Sequence, residues 1–363
     1  MKIGIDIRWM VNNHRGMGRF AEFLIKPVKD KITAFAPHNM DSTNYNVVKK
    51  GNSFFPWWEQ CILPFLSKNE KMDYIILPYN TGPIIGCGKA KKIVVIHDLI
   101  FMRSKSELPL SMSLYQTLGR YYRRLVVPKV AKNSDVIITV SEYTKSELIG
   151  KLNISESKIK VIPNSISNKW FGPYAGLSER KPYLFTVAGE APNKNVPKLI
   201  EAFSLAKKYI GNNVKLRIAG IKAAHHAEFL ETAKKFKIEN DVEFLGFISD
   251  KELQLQYREA RAFIFASLFE GFGIPLLEAM ASGTPVCCSN STSLPEVVGD
   301  TSLLFDPCDV NDISKSIIEI LTEEIPMSEN RVSKAYSRAG EFSESAVNKK
   351  IKVFWRKYCD SDC

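Results

Sequence analysis

Residues Ser267–Pro285 read SLFEGFGIPLLEAMASGTP, with Glu270 and Glu278 on either side of Gly271, Phe272 and Gly273. The run before them, Arg261–Ala266, is apolar and aromatic and predicts a strand. Pro275 suits the first turn of a helix that follows. A glycine turn between a parallel strand and a helix directs backbone N–H groups at the helix start, where an anion is stabilised. It also lies at the carboxyl end of the strand, where open α/β sheets bind ligands. Glu278 stands about two helical turns beyond Glu270. One carboxylate is then placed to receive sugar hydroxyls, and the other a ribose diol.

Outward from this segment, short β-branched runs alternate with helical patterns. Strands are expected at Lys2–Ile7, Ile32–Ala36, Asp73–Leu77, Ile93–His97, Asp135–Ser141 and Lys158–Ile162. Beyond these come Tyr183–Ala188, Val214–Ala219, Val242–Phe244, Arg261–Ala266, Pro285–Ser289 and Leu303–Phe305. Several are wholly apolar, as parallel strands covered on both faces are. Helices such as Val196–Tyr209 and Ala224–Phe236 lie between them, giving an α/β protein with parallel sheets. Asn164–Pro182 lacks periodicity and is rich in Asn, Gly and Pro, so it reads as a linker. Two doubly wound domains of similar size follow, over 1–168 and 169–340. A C-terminal helix within 341–363 carries Val347, Ile351 and Trp355 on one face.

Composition narrows the functional classes. At 363 residues, with 45% hydrophobic and 25% charged residues, the chain builds sizeable cores and is not disordered. Asp6 and Arg8 interrupt the opening apolar run, which therefore reads as a buried strand and not a secretion signal. Seven irregularly spaced cysteines offer no C-x-x-C pair, which predicts free thiols in a reducing cytoplasm. Residues 1–170 hold 26 Lys and Arg against 13 Asp and Glu, a net of +13, whereas the remainder is at −2. Such asymmetry directs the first half at something anionic. Helix-turn-helix, RNA-recognition and zinc-finger patterns are lacking, so nucleic acid is not expected as a partner. The basic segment 114–132 places Leu114, Leu118, Tyr121 and Leu125 on one stripe, with Arg120, Arg123, Arg124, Lys129 and Lys132 supplying charge. It suits contact with an anionic membrane surface, or a core-packed helix with a solvated basic face. Pro128 is expected to end or kink it.

Three further stretches are candidates for the site. Gly189–Asn195 (GEAPNKN) opens after a strand and precedes a helix, with Lys194 near the helix start. His97 closes a strand and points to the ligand crevice. Gly16 and Gly18 lie in a G-x-G-x-x-A sequence nine residues beyond the first strand, too far for a dinucleotide fingerprint. The chain-terminal Asp360-Ser361-Asp362 is a D-x-D that follows no strand, and no metal is expected there or elsewhere.

The segment Glu270–Val286 resembles the signature of the retaining GT-B glycosyltransferases of family four, the glycosyl transferases group 1. The opening KIGIDIRWM with Gly16 and Gly18 is most similar to members that build bacterial surface polysaccharides, many of them mannosyltransferases. The resemblance implies two Rossmann-like domains facing across a cleft, the first binding acceptor and the second a nucleotide-diphosphate sugar. It implies catalytic roles at the sugar for His97 and Glu270, a ribose contact for Glu278, and phosphate or sugar contacts for Gly271, Phe272 and Gly273. Lys194 would neutralise the diphosphate, although Glu190 stands where many members carry Arg. Gly16 and Gly18 would form a loop near donor or acceptor. The resemblance further implies a GDP-mannose-type donor, a saccharide acceptor that is often lipid-linked, and no cofactor. Work at the inner face of the membrane and packing of the last helix on the first domain are likewise implied. An epimerase or hydrolase on the same fold, or a sugar-nucleotide-binding scaffold, are the competing readings.

Overall fold

The computed structural model describes residues 1–10, 16–40, 45–109, 114–174, 176–211 and 213–358. The chain divides into two compact units. Met1–Arg103, Met112–Ser165 and Ser345–Cys363 form the first. Ile166–Glu344 forms the second, joined by the stretch that starts at Ser104.

The first unit is built on parallel strands β1 (Ile3–Asp6), β2 (Ile32–Ala36), β3 (Asn46–Lys49), β4 (Tyr74–Leu77), β5 (Lys91–Ile96), β6 (Val136–Thr139) and β7 (Ile159–Val161). Their order is β3-β2-β1-β4-β5-β6-β7. The central strands are apolar because helices cover both sides, and Ile5, Ile76, Val94 and Ile138 are fully buried. The edge strand β3 was not expected from the sequence. Its residues NVVK are half-exposed or exposed, and it carries too little apolar signal to register.

The second unit contains β8 (Lys181–Val187), β9 (Lys215–Ala219), β10 (Val242–Gly246), β11 (Ala260–Phe265), β12 (Val286–Ser289) and β13 (Leu303–Phe305). They run parallel in the order β10-β9-β8-β11-β12-β13. Helices Val196–Ile210 and Val310–Thr322 close one face, burying Leu199, Ile200, Phe203, Ile313 and Ile317 against the sheet. Each sheet reverses its winding once, between β1 and β4 in the first and between β8 and β11 in the second. Ligand crevices form at such switch points, outside the carboxyl ends of the strands.

The last described helix, Glu344–Arg356, belongs to the first unit. Val347, Ile351 and Trp355 are fully buried there, and Trp355 Nε1 donates to the carbonyl of Leu24 at 2.8 Å. The helix Leu114–Lys132 decides between the readings left open for it. It runs through Pro128 without ending, because Val126, Val127, Val130 and Ala131 anchor its last turns in the core. Its apolar stripe is not core-packed: Leu114, Leu118 and Leu125 are 80%, 68% and 68% exposed. The arginines instead turn inward. Arg120 Nη2 donates to Arg103 O at 2.6 Å and Arg124 Nε to Phe101 O at 2.7 Å. Part of the positive charge of this half is therefore spent on carbonyls of the loop after His97, leaving Lys129 and Lys132 as exposed cations of the helix.

Candidate active site

In the second unit the predicted residues gather at the switch point. The loop after β8 makes a tight turn at Pro192–Lys194, and Asn195 adopts a left-handed conformation before helix Val196–Ile210. Asn195 Nδ2 donates to Ala266 O at 3.1 Å and to Pro307 O at 2.8 Å, while Asn193 Nδ2 reaches Phe269 O at 3.1 Å. These bonds bolt the β8 loop to the β11 loop. As a result Lys194 Nζ meets Glu270 Oε1 at 2.6 Å, with the carboxylate side chain only 14% exposed. The two residues lie 76 positions apart in sequence.

Glu270 is held further by its backbone N–H, which donates to Thr292 Oγ1 at 3.2 Å. Ser293 Oγ donates to the carbonyls of Glu270 and Phe272. Gly273 caps helix Ile274–Ala281 with φ +117°, where a Cβ would come within 2.9 Å of Leu294. Glycine is required there on both counts. The Phe272 side chain packs in the interior against Phe342, so only its backbone is available to a ligand. Glu278 is buried on the following helix, where Tyr257 Oη donates to its Oε2 at 3.1 Å. Burial, reinforced by Glu278, raises the Tyr257 pKa, so the phenol keeps its proton and remains a donor. Glu190 pairs with Lys222 Nζ, on the loop after β9, at 3.1 Å. Partial burial alone would raise the Glu190 pKa, but hydrogen bonds from its own backbone and from Lys222 outweigh it and the pKa falls. The negative charge at this position is thus met by a cation from the neighbouring strand end.

In the first unit, His97 directly follows β5 and is buried. Its Nε2 lies 3.1 Å from Pro78 O, and because a carbonyl only accepts, that nitrogen carries the proton. Burial lowers the ring's pKa to about 4 against the opposing pull of Pro78, so the ring is neutral near pH 7. Gly16 and Gly18 are not in a loop as expected. They form the first turn of helix Gly16–Ile25. Gly18 packs on the backbone of Trp9 so closely that a Cβ would sit 2.2 Å from Trp9 O, which explains the glycine without a ligand.

Sequence reading missed a charged cluster at the other switch point. Arg8, just past β1, donates through Nε to Asp6 Oδ2 at 2.9 Å and through Nη2 to Glu59 Oε1 at 2.9 Å. Thr81 Oγ1 donates to Glu59 Oε1 at 2.6 Å, and Tyr122 Oη to Glu59 Oε2 at 3.1 Å. The signal was the polar pair Asp6 and Arg8 at a strand's carboxyl end, a position that points into a crevice. Among the described residues no cluster of three or more His, Cys, Asp or Glu side chains is suited to a metal. Asp360-Ser361-Asp362 lies outside the described residues.

Two family models match the chain in tandem. Glycosyltransferase Family 4 matches residues 33–169, and Glycosyl transferases group 1 matches residues 174–338. The chain belongs to the group 1 glycosyltransferases. O-antigen chain mannosyltransferase B of Escherichia coli is 31% identical over 61% of the chain. O-antigen chain mannosyltransferase RfbU of Salmonella typhimurium is 29% identical over 61% of it. These matches span 61% and 60% of the relatives' own lengths. The fold is that of solved GT-B enzymes. HepE of Anabaena, solved with UDP and glucose, superposes with a TM-score of 0.76 at 17% identity, over 98% of this chain and 100% of that one. Sucrose-phosphate synthase of Thermosynechococcus elongatus gives 0.75 at 16%, over 99% of both.

Proposed function

We propose that this glycosyltransferase moves a mannosyl group from a GDP-mannose-type donor to a lipid-linked saccharide acceptor, in bacterial surface-polysaccharide assembly. The Lys194–Glu270 pair at the β8–β11 switch point carries the reading, because it places a cation and a carboxylate beside the N-terminus of helix Ile274–Ala281. Lys194 and that helix end stabilise charge on the departing diphosphate. Glu270 receives hydroxyls of the sugar, and Glu278, set by Tyr257, receives the ribose diol. His97 supports the sugar as a neutral ring. The acceptor attacks the face from which the diphosphate departs, a diphosphate oxygen takes its proton, and the anomeric configuration is retained without a metal. The names of the curated relatives support mannose as the sugar.

A thermal-shift panel of GDP, UDP, dTDP and CMP, with Mg2+ or EDTA, reads the donor base. GDP at a hundredfold excess over its Kd should stabilise the protein by about 2.7 kcal/mol. The shift should be the same in EDTA. A selective response to another nucleotide overturns the GDP assignment, and an inverted product anomer by NMR overturns retention.

We also propose that the exposed stripe Leu114, Tyr115, Leu118 and Leu125 seats on an anionic membrane, with Lys129 and Lys132 beside it, at the inner face of the cell membrane. Among the described residues no helix is long and apolar enough to cross one. Burial of two leucines contributes roughly 1.5–3 kcal/mol each. Leu118→Ser with Leu125→Ser should therefore cut co-sedimentation with phosphatidylglycerol vesicles at least tenfold. Equal binding of the double variant would rule the stripe out.

A further inference from the structure

The turn after β4, Pro78–Thr81, touches His97 twice. Pro78 O accepts from the His97 ring at 3.1 Å, and Asn80 Oδ1 accepts from the His97 backbone N–H at 2.6 Å. Asn80 holds a left-handed conformation, φ +67°, and its own N–H donates to Val95 O at 3.0 Å. Asparagine tolerates this conformation better than most residues. The turn itself has two outside anchors. Tyr79 Oη accepts from the Trp9 N–H at 3.2 Å, with the two rings 5.0 Å apart. Thr81 Oγ1 donates to Glu59, which is fixed in turn by Arg8 and Tyr122. Arg8 is locked by Asp6 below and lies over the rings of Phe55 and Trp58. A continuous chain of short contacts therefore runs from the end of β1 through Arg8, Glu59 and Thr81 to the carbonyl that accepts from the histidine ring.

We propose that Glu59, Thr81 and Tyr79 are positioning residues for His97: they fix the Pro78–Thr81 turn, and the turn fixes the tautomer and tilt of the imidazole. All three are buried, and none needs to touch substrate. A ring that hydrogen-bonds the reacting sugar must be held to a fraction of an ångström, and an error near 1 Å costs on the order of a hundredfold in rate. A second carbonyl clamp lies in the loop after His97, where Arg120 and Arg124 hold Phe101 and Arg103. The catalytic consequence rests on His97 contacting the donor sugar; the effect on the ring does not.

Thr81→Val keeps the side-chain shape and removes the donor, and Thr81→Ser restores it. Tyr79→Phe removes the second anchor by an independent route. The readout is the ring 15N spectrum of histidine-labelled full-length protein, with His97 assigned by its absence in His97→Gln. In the wild type the Nε2–H form should dominate. Thr81→Val and Tyr79→Phe should each shift the His97 signals and populate the other tautomer, and Thr81→Ser should return them to wild-type positions. Unmoved signals in both variants overturn the proposal. In parallel, kcat should fall on the order of tenfold or more in Thr81→Val with the donor KM unchanged. If the signals move while His97→Gln transfers sugar at the wild-type rate, positioning is upheld and the catalytic reading of His97 falls.

Discussion

Glu270→Gln should lower kcat for sugar transfer about a hundred- to a thousandfold while leaving nucleotide binding intact. The wild-type carboxylate is mostly buried and bonded to Lys194 at 2.6 Å. Glutamine keeps its shape and can still accept from the lysine, but carries no charge. A partly exposed ion pair of this kind contributes roughly 0–1 kcal/mol to stability, so the variant should fold with a nearly unchanged melting temperature. Its effect on the reaction is larger. Loss of one preorganised group that stabilises developing charge costs about 2.7–4 kcal/mol in the transition state. The diphosphate should bind as well or better, because Lys194 is no longer shared with a full negative charge. Steady-state kinetics and nucleotide titration of the same sample separate the two effects. Wild-type transfer by the variant would remove Glu270 from the chemistry and favour a binding scaffold. Donor turnover at full rate without any acceptor would favour a hydrolase or epimerase.

The elements that carry this prediction were legible in the sequence because their chemistry is local. Apolar runs such as Ile93–His97 and Arg261–Ala266 are long enough to mark buried parallel strands, and Glu270 and Glu278 flank the start of one helix. What pairs with Glu270 was less legible. Lys194 was a candidate on its own, but the contact depends on the β8–β11 adjacency and on Asn193 and Asn195 tying two loops together. For helix Leu114–Lys132 the period leaves two readings open, an outward apolar stripe or a core-packed one. A helical period shows which residues share a side, not which side meets the core. Here the arginine stems cross the packed surface to reach the carbonyls of Phe101 and Arg103, and the leucines face out. On sequence alone Asp6 and Arg8 are only charges that interrupt an apolar run. Their partner Glu59 lies 51 residues from Arg8, in a helical segment with no periodic link to either.

Arg8→Met should strongly destabilise the first unit, and its cost should depend on pH. Asp6, Arg8 and Glu59 have side chains no more than 6% exposed. Methionine fills the space over Phe55 and Trp58 but leaves two carboxylates facing each other without a cation. Breaking a buried ion pair by removing one partner costs roughly 3–5 kcal/mol. At about 2–4 °C per kcal/mol for a unit of this size, the melting temperature should drop on the order of 10 °C. The sign of the pH effect follows from Glu59. Burial raises its pKa above the ordinary glutamate value even with Arg8 pulling it down. An acid raised in the folded state holds more protons folded than unfolded, so its stabilising contribution is complete below the unfolded pKa and is lost as pH rises through the folded one. Without Arg8 the folded pKa rises further and the loss grows. The variant should therefore lie closest to wild type near pH 5 and furthest from it near pH 7.5. Glu59→Gln added to Arg8→Met should recover part of the deficit at pH 7.5 and little at pH 5, because it removes the charge that has lost its partner. Urea melts of the single and double variants at both pH values decide it. A deficit that is flat with pH would mean that packing over Phe55 and Trp58, rather than the unpaired carboxylates, sets the cost of losing Arg8.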